Sequence, residues 1–211
     1  MTDDLEPSPD CGLCPRLAEF RAANRTAHPD FFNRPVPAFG PLDAKMLIVG
    51  LAPGLKGANR TGRPFTGDYA GDLLYPTLIK FGFAKGRFGA DPDDGLTLEN
   101  CRITNAVRCV PPANKPIGAE VRACGEFLAA EIAAMPNLET VLALGSLAHG
   151  AILASLGLRK SAYKFGHAAE HPLPGYRLVN SYHCSRYNTN TGRLTPEMFE
   201  DVFRLITGTA G

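Results

Sequence analysis

Four short runs of aliphatic and β-branched residues, separated by longer helical patterns, constrain the fold of this chain more than any other feature. The runs are Met46–Pro53, Cys101–Cys109, Thr140–Gly145 and Arg177–His183. Continuous apolar runs of this length are typical of strands that are buried on both faces, as in parallel sheets. The pattern therefore predicts a four-stranded parallel sheet.

Amphipathic patterns between and around these runs predict helices over Cys14–Arg25, Gly71–Phe83, Ala119–Met135, Ser146–Leu158 and Pro196–Ile206. Two residues indicate the start of the last helix. Thr195 has a hydroxyl that can cap it, and Pro196 suits the first helical position. Alternating strands and helices predict an α/β fold, a three-layer α/β/α sandwich. The 211 residues suit a single domain over 1–211, with a loose tail over 1–10. In such a fold, ligands bind at the carboxyl ends of the strands.

The charge balance excludes a protein that is basic overall. The chain has 22 basic and 21 acidic residues and a net charge of +1, so any binding of nucleic acid needs a local basic patch. The apolar runs are far shorter than the roughly 20 residues of a membrane span. The first ten residues are acidic rather than typical of a signal peptide. We expect a cytoplasmic protein that does not contact a membrane.

Four of the six cysteines form two pairs, Cys11-x2-Cys14 and Cys109-x14-Cys124. In a reducing compartment, clustered cysteines suggest a metal or catalysis before they suggest disulfides. Four thiolates suit a [4Fe–4S] cluster or a structural zinc, although the 14-residue spacing is unusual for zinc. The alternative is that these are small buried apolar side chains.

The remaining two cysteines have less to suggest a function. Cys101 lies in a predicted strand and suits the core. Cys184 lies beside His183 and could therefore be a nucleophile, but the sequence offers no obvious group to orient that pair.

The loop after the first strand, residues 50–72, contains six glycines among its 23 residues. It lacks the phosphate-loop and dinucleotide fingerprints. Glycines let a backbone approach a ligand closely, and Phe65, Asp68 and Asp72 add a flat ring and two carboxylates. Such a loop suits a planar ligand and an activated water molecule. The alternative is a long surface loop with a buried phenylalanine.

Two other strand ends carry polar groups. His183 ends the last strand, and a polar loop with Arg186, Tyr187 and Arg193 follows it. Such residues can contact phosphates and stack on bases, while the histidine alone could be structural. Asn105 ends the second strand, where its amide suits the edge of a base or a simple turn. All three strand ends are expected at one edge of the sheet.

These motifs together resemble the iron–sulfur branch of the uracil-DNA glycosylase superfamily, most closely the type B (family 5) enzymes. The resemblance spans about Cys11 to Ile206. It rests on the segments Gly50-Leu-Ala-Pro-Gly, Asn59-Arg-Thr-Gly-Arg-Pro-Phe-Thr-Gly-Asp68, Ile103-Thr-Asn-Ala-Val-Arg-Cys-Val-Pro-Pro-Ala-Asn-Lys-Pro116, and His183 with Asn190-Thr-Gly-Arg-Leu-Thr195. It implies that Cys11, Cys14, Cys109 and Cys124 hold a structural [4Fe–4S] cluster.

Some positions distinguish the branches of this superfamily. Leu51 stands where type A (family 4) enzymes usually have Glu, which favours type B. Ala52 stands where family 1 enzymes carry a catalytic Asp, so the resemblance makes Asp68 the candidate for activating water, with Asp72 as the alternative. The chain departs from type B at two positions. Gly54 stands where Ala or a similar residue is usual, and Cys184 stands where the usual His-Pro-Ser sequence has proline.

The resemblance implies a monofunctional DNA-repair glycosylase that flips uracil, and related deaminated bases, out of the duplex and hydrolyses the N-glycosidic bond. Asp68 and His183 would be catalytic, and Ala52, Gly54, Phe65 and Asn105 would bind the base. Phosphates would be held by Lys56, Arg60, Arg63, Arg186 and Arg193. We expect a monomer that associates with the nucleoid through DNA. The alternatives are a non-catalytic metal-bound nucleic-acid module and an iron–sulfur electron carrier.

Overall fold

The computed structural model describes residues 5–209 and shows helices and strands alternating along the chain. The strands are β1 (Met46–Gly50), β2 (Ala84–Lys85), β3 (Thr97–Leu98), β4 (Cys101–Asn105), β5 (Thr140–Leu144), β6 (Glu170–Leu173) and β7 (Tyr176–Ser181). The α-helices are α1 (Pro15–Ala27), α2 (Ala58–Thr61), α3 (Tyr69–Lys80), α4 (Gly118–Ala134), α5 (Ser146–Ser155), α6 (Arg186–Asn190) and α7 (Pro196–Thr207). Two short 3-10 helices lie at Pro112–Asn114 and Lys160–Ala162.

The central sheet has the strand order β4-β1-β5-β7-β6. β4, β1, β5 and β7 pair in parallel, which confirms the four predicted parallel strands. The prediction missed β6, which pairs antiparallel with β7 at the edge. Pro172 lies in β6, and proline is tolerated on an edge strand because one side of that strand donates no hydrogen bonds to the sheet.

Alternate residues of each parallel strand face opposite layers, and this gives the predicted three-layer α/β/α sandwich. Ile48 and Leu142 pack with Leu74 of α3 and Phe203 of α7. Leu47 and Val141, one position away, pack with Leu128 of α4 and Leu153 of α5. Both faces of the sheet are therefore apolar, as the uninterrupted hydrophobic runs indicated.

Two helix starts follow directly from capping chemistry. The Thr195 hydroxyl accepts a hydrogen bond from the Met198 amide, and Pro196 is the first residue of α7, as predicted. Asp68 caps α3 in the same way by accepting from the Ala70 amide. The start of α3 thereby fixes the position of a carboxylate at the edge of the sheet.

The prediction of a loose tail over residues 1–10 requires correction at Glu6. The Glu6 carboxylate accepts from the Ala38 amide at 2.9 Å and pairs with Arg108 at 3.1 Å. Arg108 also pairs with Glu131, which is fully buried. The buried positive charge of Arg108 attracts Glu6, so this part of the tail is held against the fold. Residues 1–4 lie outside the described range.

Candidate functional site

A cavity of about 510 Å³ lies where the carboxyl ends of β1, β4, β5 and β7 meet. It brings together eight of the residues that the sequence singled out: Ala52, Gly54, Phe65, Asp68, Asn105, His183, Arg186 and Arg193. Parallel strands end at a common edge, which is why segments more than 100 residues apart in sequence form one pocket.

Phe65 forms an apolar wall of this cavity and is only 6% exposed. Its backbone has a φ of +52°, a left-handed conformation that non-glycine residues seldom adopt. A Cβ on Gly50 would lie 2.6 Å from the tip of the Phe65 ring and would also collide with Oδ1 of Asn105. Gly50 therefore allows the ring and the amide to approach the end of β1.

Asn105 ends β4 beside Gly50 and is buried, at 4% exposed. Its side chain lines the cavity together with Phe65. A buried amide that faces a cavity can both donate and accept hydrogen bonds, which suits the edge of a base.

Asp68 presents its carboxylate to the cavity from the N-terminus of α3. Oδ1 accepts from the Ala70 amide at 3.1 Å. A Cβ on Gly57 would lie 2.5 Å from Oδ2, so this glycine gives the carboxylate its space. Burial raises the pKa of Asp68, and hydrogen bonds from the Gly71 and Ala70 amides oppose that rise. Such a carboxylate is a stronger proton acceptor than an exposed one.

Asp72 lies one helical turn later, in the first turn of α3, where it is exposed. Among the described residues, it is not part of the cavity lining. The two carboxylates of the glycine-rich loop thus face different surroundings, and Asp68 is the one that faces the cavity.

His183 follows β7 and lines the cavity with its ring 6.3 Å from the Phe65 ring, centroid to centroid. Burial lowers its pKa, so the imidazole is neutral at pH 7 and can donate from one nitrogen. Its carbonyl accepts from Nδ2 of Asn188 at 2.8 Å, and the Ser185 hydroxyl caps α6. These local hydrogen bonds hold the loop in which Cys184 replaces the usual proline.

The Cys184 side chain does not have the properties of a reactive thiol. It is fully buried and packs in the apolar cluster that includes Leu194 and Phe199. Burial raises the pKa of its thiol to about 12. A thiol that stays protonated is a poor nucleophile, so these properties do not support a nucleophilic role for Cys184.

Two of the predicted basic residues lie at the cavity. Arg186 and Arg193 are exposed and line it, and their guanidinium groups stack on Tyr69 at 5.2 Å and Tyr182 at 4.8 Å. Stacking on an aromatic ring fixes the plane of a guanidinium group and leaves its N–H donors free to face solvent. Both are available to a phosphate chain.

The other three predicted basic residues differ in their surroundings. Lys56 and Arg60 are exposed but lie outside the cavity lining, within the part of the chain that the structure describes. Arg63 is 4% exposed and pairs with Asp94 at 2.7 Å. The prediction that Arg63 holds a phosphate is therefore wrong, because its guanidinium is buried and already neutralised.

The sequence analysis missed Asn114, whose side chain also lines the cavity. Its Oδ1 accepts from the Leu55 amide at 3.3 Å, which connects the loop after Cys109 to the glycine-rich loop. Ala113 and Asn114 both have positive φ values. Asparagine tolerates that conformation, so the sequence could have indicated a turn at Asn114, although not its contact with the cavity.

Two large apolar side chains are exposed near the cavity. Leu147, in the first turn of α5, is 68% exposed and lines the cavity. Tyr187 of α6, which lies between the lining residues Arg186 and Asn188, is 72% exposed. The sequence analysis gave no role to Leu147, because it belongs to an apolar helical pattern that suggests core packing.

Cys11, Cys14, Cys109 and Cys124 line a second, small cavity together with Leu17 and Arg21. The Arg21 guanidinium donates to the Cys109 sulfur at 3.4 Å, and the Arg108 amide donates to the Cys124 sulfur at 3.4 Å. The four thiols are therefore brought together as predicted, and all six cysteines are free.

The cysteine cavity does not have the geometry of a single-ion site. Within residues 5–209, no three side chains of His, Cys, Asp or Glu converge closely enough to hold one metal ion. Burial raises the pKa of the thiols of Cys14 and Cys109, and raises that of Cys124 to about 12. Donors from Arg21 and Arg108 offset some of this cost for the sulfur anions, which are the form that binds metal.

No helix within the described range is both long enough and apolar enough to cross a membrane.

Comparison with known proteins places this geometry in context. The sequence model described as the Uracil DNA glycosylase superfamily matches residues 37–207. The chain is 47% identical over 207 residues to the type-5 uracil-DNA glycosylase of Thermus thermophilus, covering 95% of this chain and 94% of the relative. It is 39% identical to the type-5 enzyme of Pyrobaculum aerophilum, over 96% of this chain and 90% of the relative. The type-5 enzyme of Mycobacterium tuberculosis is 41% identical, over 95% of this chain and 78% of the relative.

Proposed function

Because the chain belongs to the Uracil DNA glycosylase superfamily, we propose how its cavity performs the reaction of a uracil-DNA glycosylase in DNA repair. The enzyme hydrolyses the N-glycosyl bond between uracil and deoxyribose. The observation that carries the residue-level proposal is that Asp68, His183, Phe65 and Asn105 line one cavity at the sheet edge. A non-catalytic module is not favoured, since the curated relatives are named as glycosylases.

The target nucleotide must leave the base stack before it can enter this cavity. Unstacking and unpairing cost a few kcal/mol, and least at a mismatch. Contacts of Arg186 and Arg193 with the phosphates would offset part of this cost, because both are exposed at the cavity. Lys56 and Arg60 would extend the same contact outside it. A flipped uracil would then stack on Phe65 and present its polar edge to Asn105.

Bond cleavage places positive charge on the sugar and negative charge on the departing base. The water oxygen forms a bond to C1′, the N-glycosidic bond breaks, and its electron pair leaves with the base. Asp68 would orient the water and accept its proton, and its negative charge would favour the cationic sugar. His183 would donate a hydrogen bond to O2 of the base. Preorganised groups of this kind act mainly in the transition state.

The range of bases depends on the fit of the ring between Phe65 and Asn105. Ala52 and Gly54 line the same cavity and present little bulk, which leaves space for bases larger than uracil. We therefore include hypoxanthine and xanthine among the deaminated bases to be tested. We propose hydrolysis of the N-glycosyl bond without strand cleavage.

We propose that the cysteine site holds an iron–sulfur cluster. The proposal is supported by four free thiols that line one cavity, by a Cys109–Cys124 spacing that is unusual for zinc, and by two N–H groups directed at sulfur. Cys11, Cys14, Cys109 and Cys124 would hold a [4Fe–4S] cluster. Its contribution would be structural, since it would tie the start of α1 to α4 and to the loop that carries Asn114.

The further properties of the protein are also proposals. We propose that residues 1–211 act as one domain, as a monomer, in the cytoplasm and in contact with the nucleoid through DNA. The relatives that match it come from bacteria and archaea.

A base-release assay tests the proposed function. Duplexes and single strands that contain uracil, hypoxanthine or xanthine are incubated with enzyme in excess, and abasic sites are measured after alkaline cleavage. We expect release of uracil at least, and no strand cleavage without alkali. Release that survives Asp68→Asn and His183→Ala without loss would contradict the assigned roles.

A further inference from the structure

The contacts of the buried residue Arg63 are not those of a phosphate-binding residue or of an ordinary surface ion pair. Its guanidinium makes two hydrogen bonds to Asp94, at 2.8 and 2.7 Å. It also lies over the rings of Phe39, Tyr75 and Phe88, at 5.3, 5.3 and 5.8 Å from their centroids. The Arg63 and Asp94 side chains are about 5% and 6% exposed. A planar cation held in this way has one well-defined orientation.

This cluster is joined directly to the turn that carries Phe65. Nε of Arg63 donates to the Thr66 hydroxyl at 2.8 Å. That hydroxyl donates to the Pro64 carbonyl at 3.2 Å, and the Tyr75 hydroxyl donates to the same carbonyl at 2.6 Å. The residues on both sides of Phe65 are therefore fixed by groups in contact with Arg63.

Phe65 needs such support because its backbone conformation is intrinsically unfavourable. Its φ of +52° lies in the left-handed region, and its carbonyl would collide with any Cβ at Gly71. A strained residue keeps its geometry only where neighbouring contacts over-determine it. Relaxation of this turn would move the ring away from Gly50 and Asn105.

We propose that Arg63 is a positioning residue for Phe65. Its pairing with Asp94 and its hydrogen bond to Thr66 hold the turn so that the Phe65 ring faces the flipped base. Arg63 thus affects the release of the base without contact with DNA. This inference rests on the proposed stacking role of Phe65, and it assigns to Asp94 the part of a buried counter-ion that fixes the guanidinium.

A double-substitution cycle separates positioning from a general loss of stability. Single-turnover release of uracil is measured for the wild type, Arg63→Lys, Phe65→Ala and the double variant. Lysine keeps the charge but cannot bridge Asp94 and Thr66 in the same plane. We expect Arg63→Lys to slow release roughly tenfold in the wild type and less than about twofold in the Phe65→Ala background.

Equal slowing in both backgrounds, or no slowing in the wild type, would overturn the proposal. A wild-type protein that releases no base from any duplex would instead refute the proposed function. If Arg63→Lys does not fold, the same cycle is run with Asp94→Asn, which keeps the size of the counter-ion and removes its charge.

Fluorescence gives a second measurement that a merely structural role would not change. The chain contains no tryptophan, so Phe65→Trp introduces a single reporter at the turn. We expect Arg63→Lys to increase acrylamide quenching of this tryptophan. Arg177→Lys is the control, because Arg177 is partly buried at the start of β7 and pairs with Glu170 at 2.6 Å and with the Ile206 carbonyl at 2.8 Å. If Phe65→Trp proteins with Arg63 and with Arg63→Lys show identical quenching, the proposal is wrong.

Discussion

The rings of Phe65 and His183 lie in the same cavity with their centroids 6.3 Å apart and their planes tilted by 35°. A base that stacks on Phe65 would therefore lie beside the imidazole. Stacking fixes the plane of the base, and the imidazole N–H then lies within reach of its edge. Under the proposed roles, recognition of the base and stabilisation of its departure would depend on the same pair of rings.

Substitution of Gly50 by alanine should damage the cavity while the sheet stays intact. The new Cβ would collide with Oδ1 of Asn105 and lie 2.6 Å from the Phe65 ring tip. Both groups must move, so we expect single-turnover release to fall by roughly tenfold or more, on the scale of one lost stacking contact of ~1–3 kcal/mol. Single-turnover kinetics and the affinity for uracil-containing duplex measure this effect.

Gly118→Ala is the matched control for Gly50→Ala. Gly118 is the first residue of α4, and a Cβ there would meet only the flexible end of Arg122, at 3.5 Å. We expect wild-type kinetics for this variant. A Gly50→Ala enzyme with the same kinetics would show that neither the ring nor the amide needs its present position.

Asp68→Asn should lower activity and raise stability at once. Loss of the carboxylate removes the proton acceptor, so we expect release to slow by roughly a hundredfold or more. The folded protein raises the pKa of Asp68, so ionised Asp68 lowers the free energy of unfolding once the pH exceeds the pKa of the unfolded chain. Asparagine removes that cost at pH 7 and still accepts from the Ala70 amide. Thermal unfolding should show a higher Tm.

Asp72→Asn provides the comparison for Asp68, because Asp72 is exposed one helical turn later in the same helix. We expect little change in rate or Tm for that variant. Near-normal release by Asp68→Asn, together with a slow Asp72→Asn enzyme, would transfer the water-activating role to Asp72.

The sequence predicted the parallel strands and the edge at which they meet, because burial on both faces leaves continuous apolar runs. It did not predict β6, whose four residues Glu170–Leu173 carry a charge, a histidine and a proline at an exposed edge. Edge strands need only one pairing partner, so their sequences are weakly constrained.

The site residues that follow strand ends were predictable, since topology alone brings Asn105 and His183 together. Arg63 was not, because a basic residue in a glycine-rich loop has the same sequence signal whether it faces solvent or Asp94. Its partner lies 31 positions away, in the loop between β2 and β3. The contribution of Asn114 was also hidden, since it depends on a hydrogen bond to Leu55 across 59 positions.

Aerobically purified protein should contain iron rather than zinc. Four thiols around one cavity, with N–H donors from Arg21 and Arg108, suit a cluster that absorbs broadly in the visible range. Elemental analysis and the visible spectrum test this expectation. Stoichiometric zinc without iron, in protein from iron-replete cells, would contradict it.

Loss of one cysteine distinguishes a structural site from buried apolar packing. Cys124→Ala should lower Tm and remove the visible absorbance, because metal binding contributes to folding stability. Cys101→Ala is the control, since Cys101 is also buried but lies in β4 outside the cysteine cavity. Retained colour after Cys124→Ala would remove that residue from the ligand set.

The pH dependence of base release should reveal a neutral His183. Burial lowers the pKa of His183, so the imidazolium form appears only below its ordinary range near ~6.5. Burial raises the pKa of Asp68, so its carboxylate is lost on the acid side at a higher pH than usual. Both groups would act in their deprotonated forms, so we expect the single-turnover rate to rise with pH on the acid side and then to stay level. His183→Ala should lower this level roughly a hundredfold, as expected for one lost donor. A wild-type rate that falls as the pH rises through 6.5 would mean that the charged imidazolium is required.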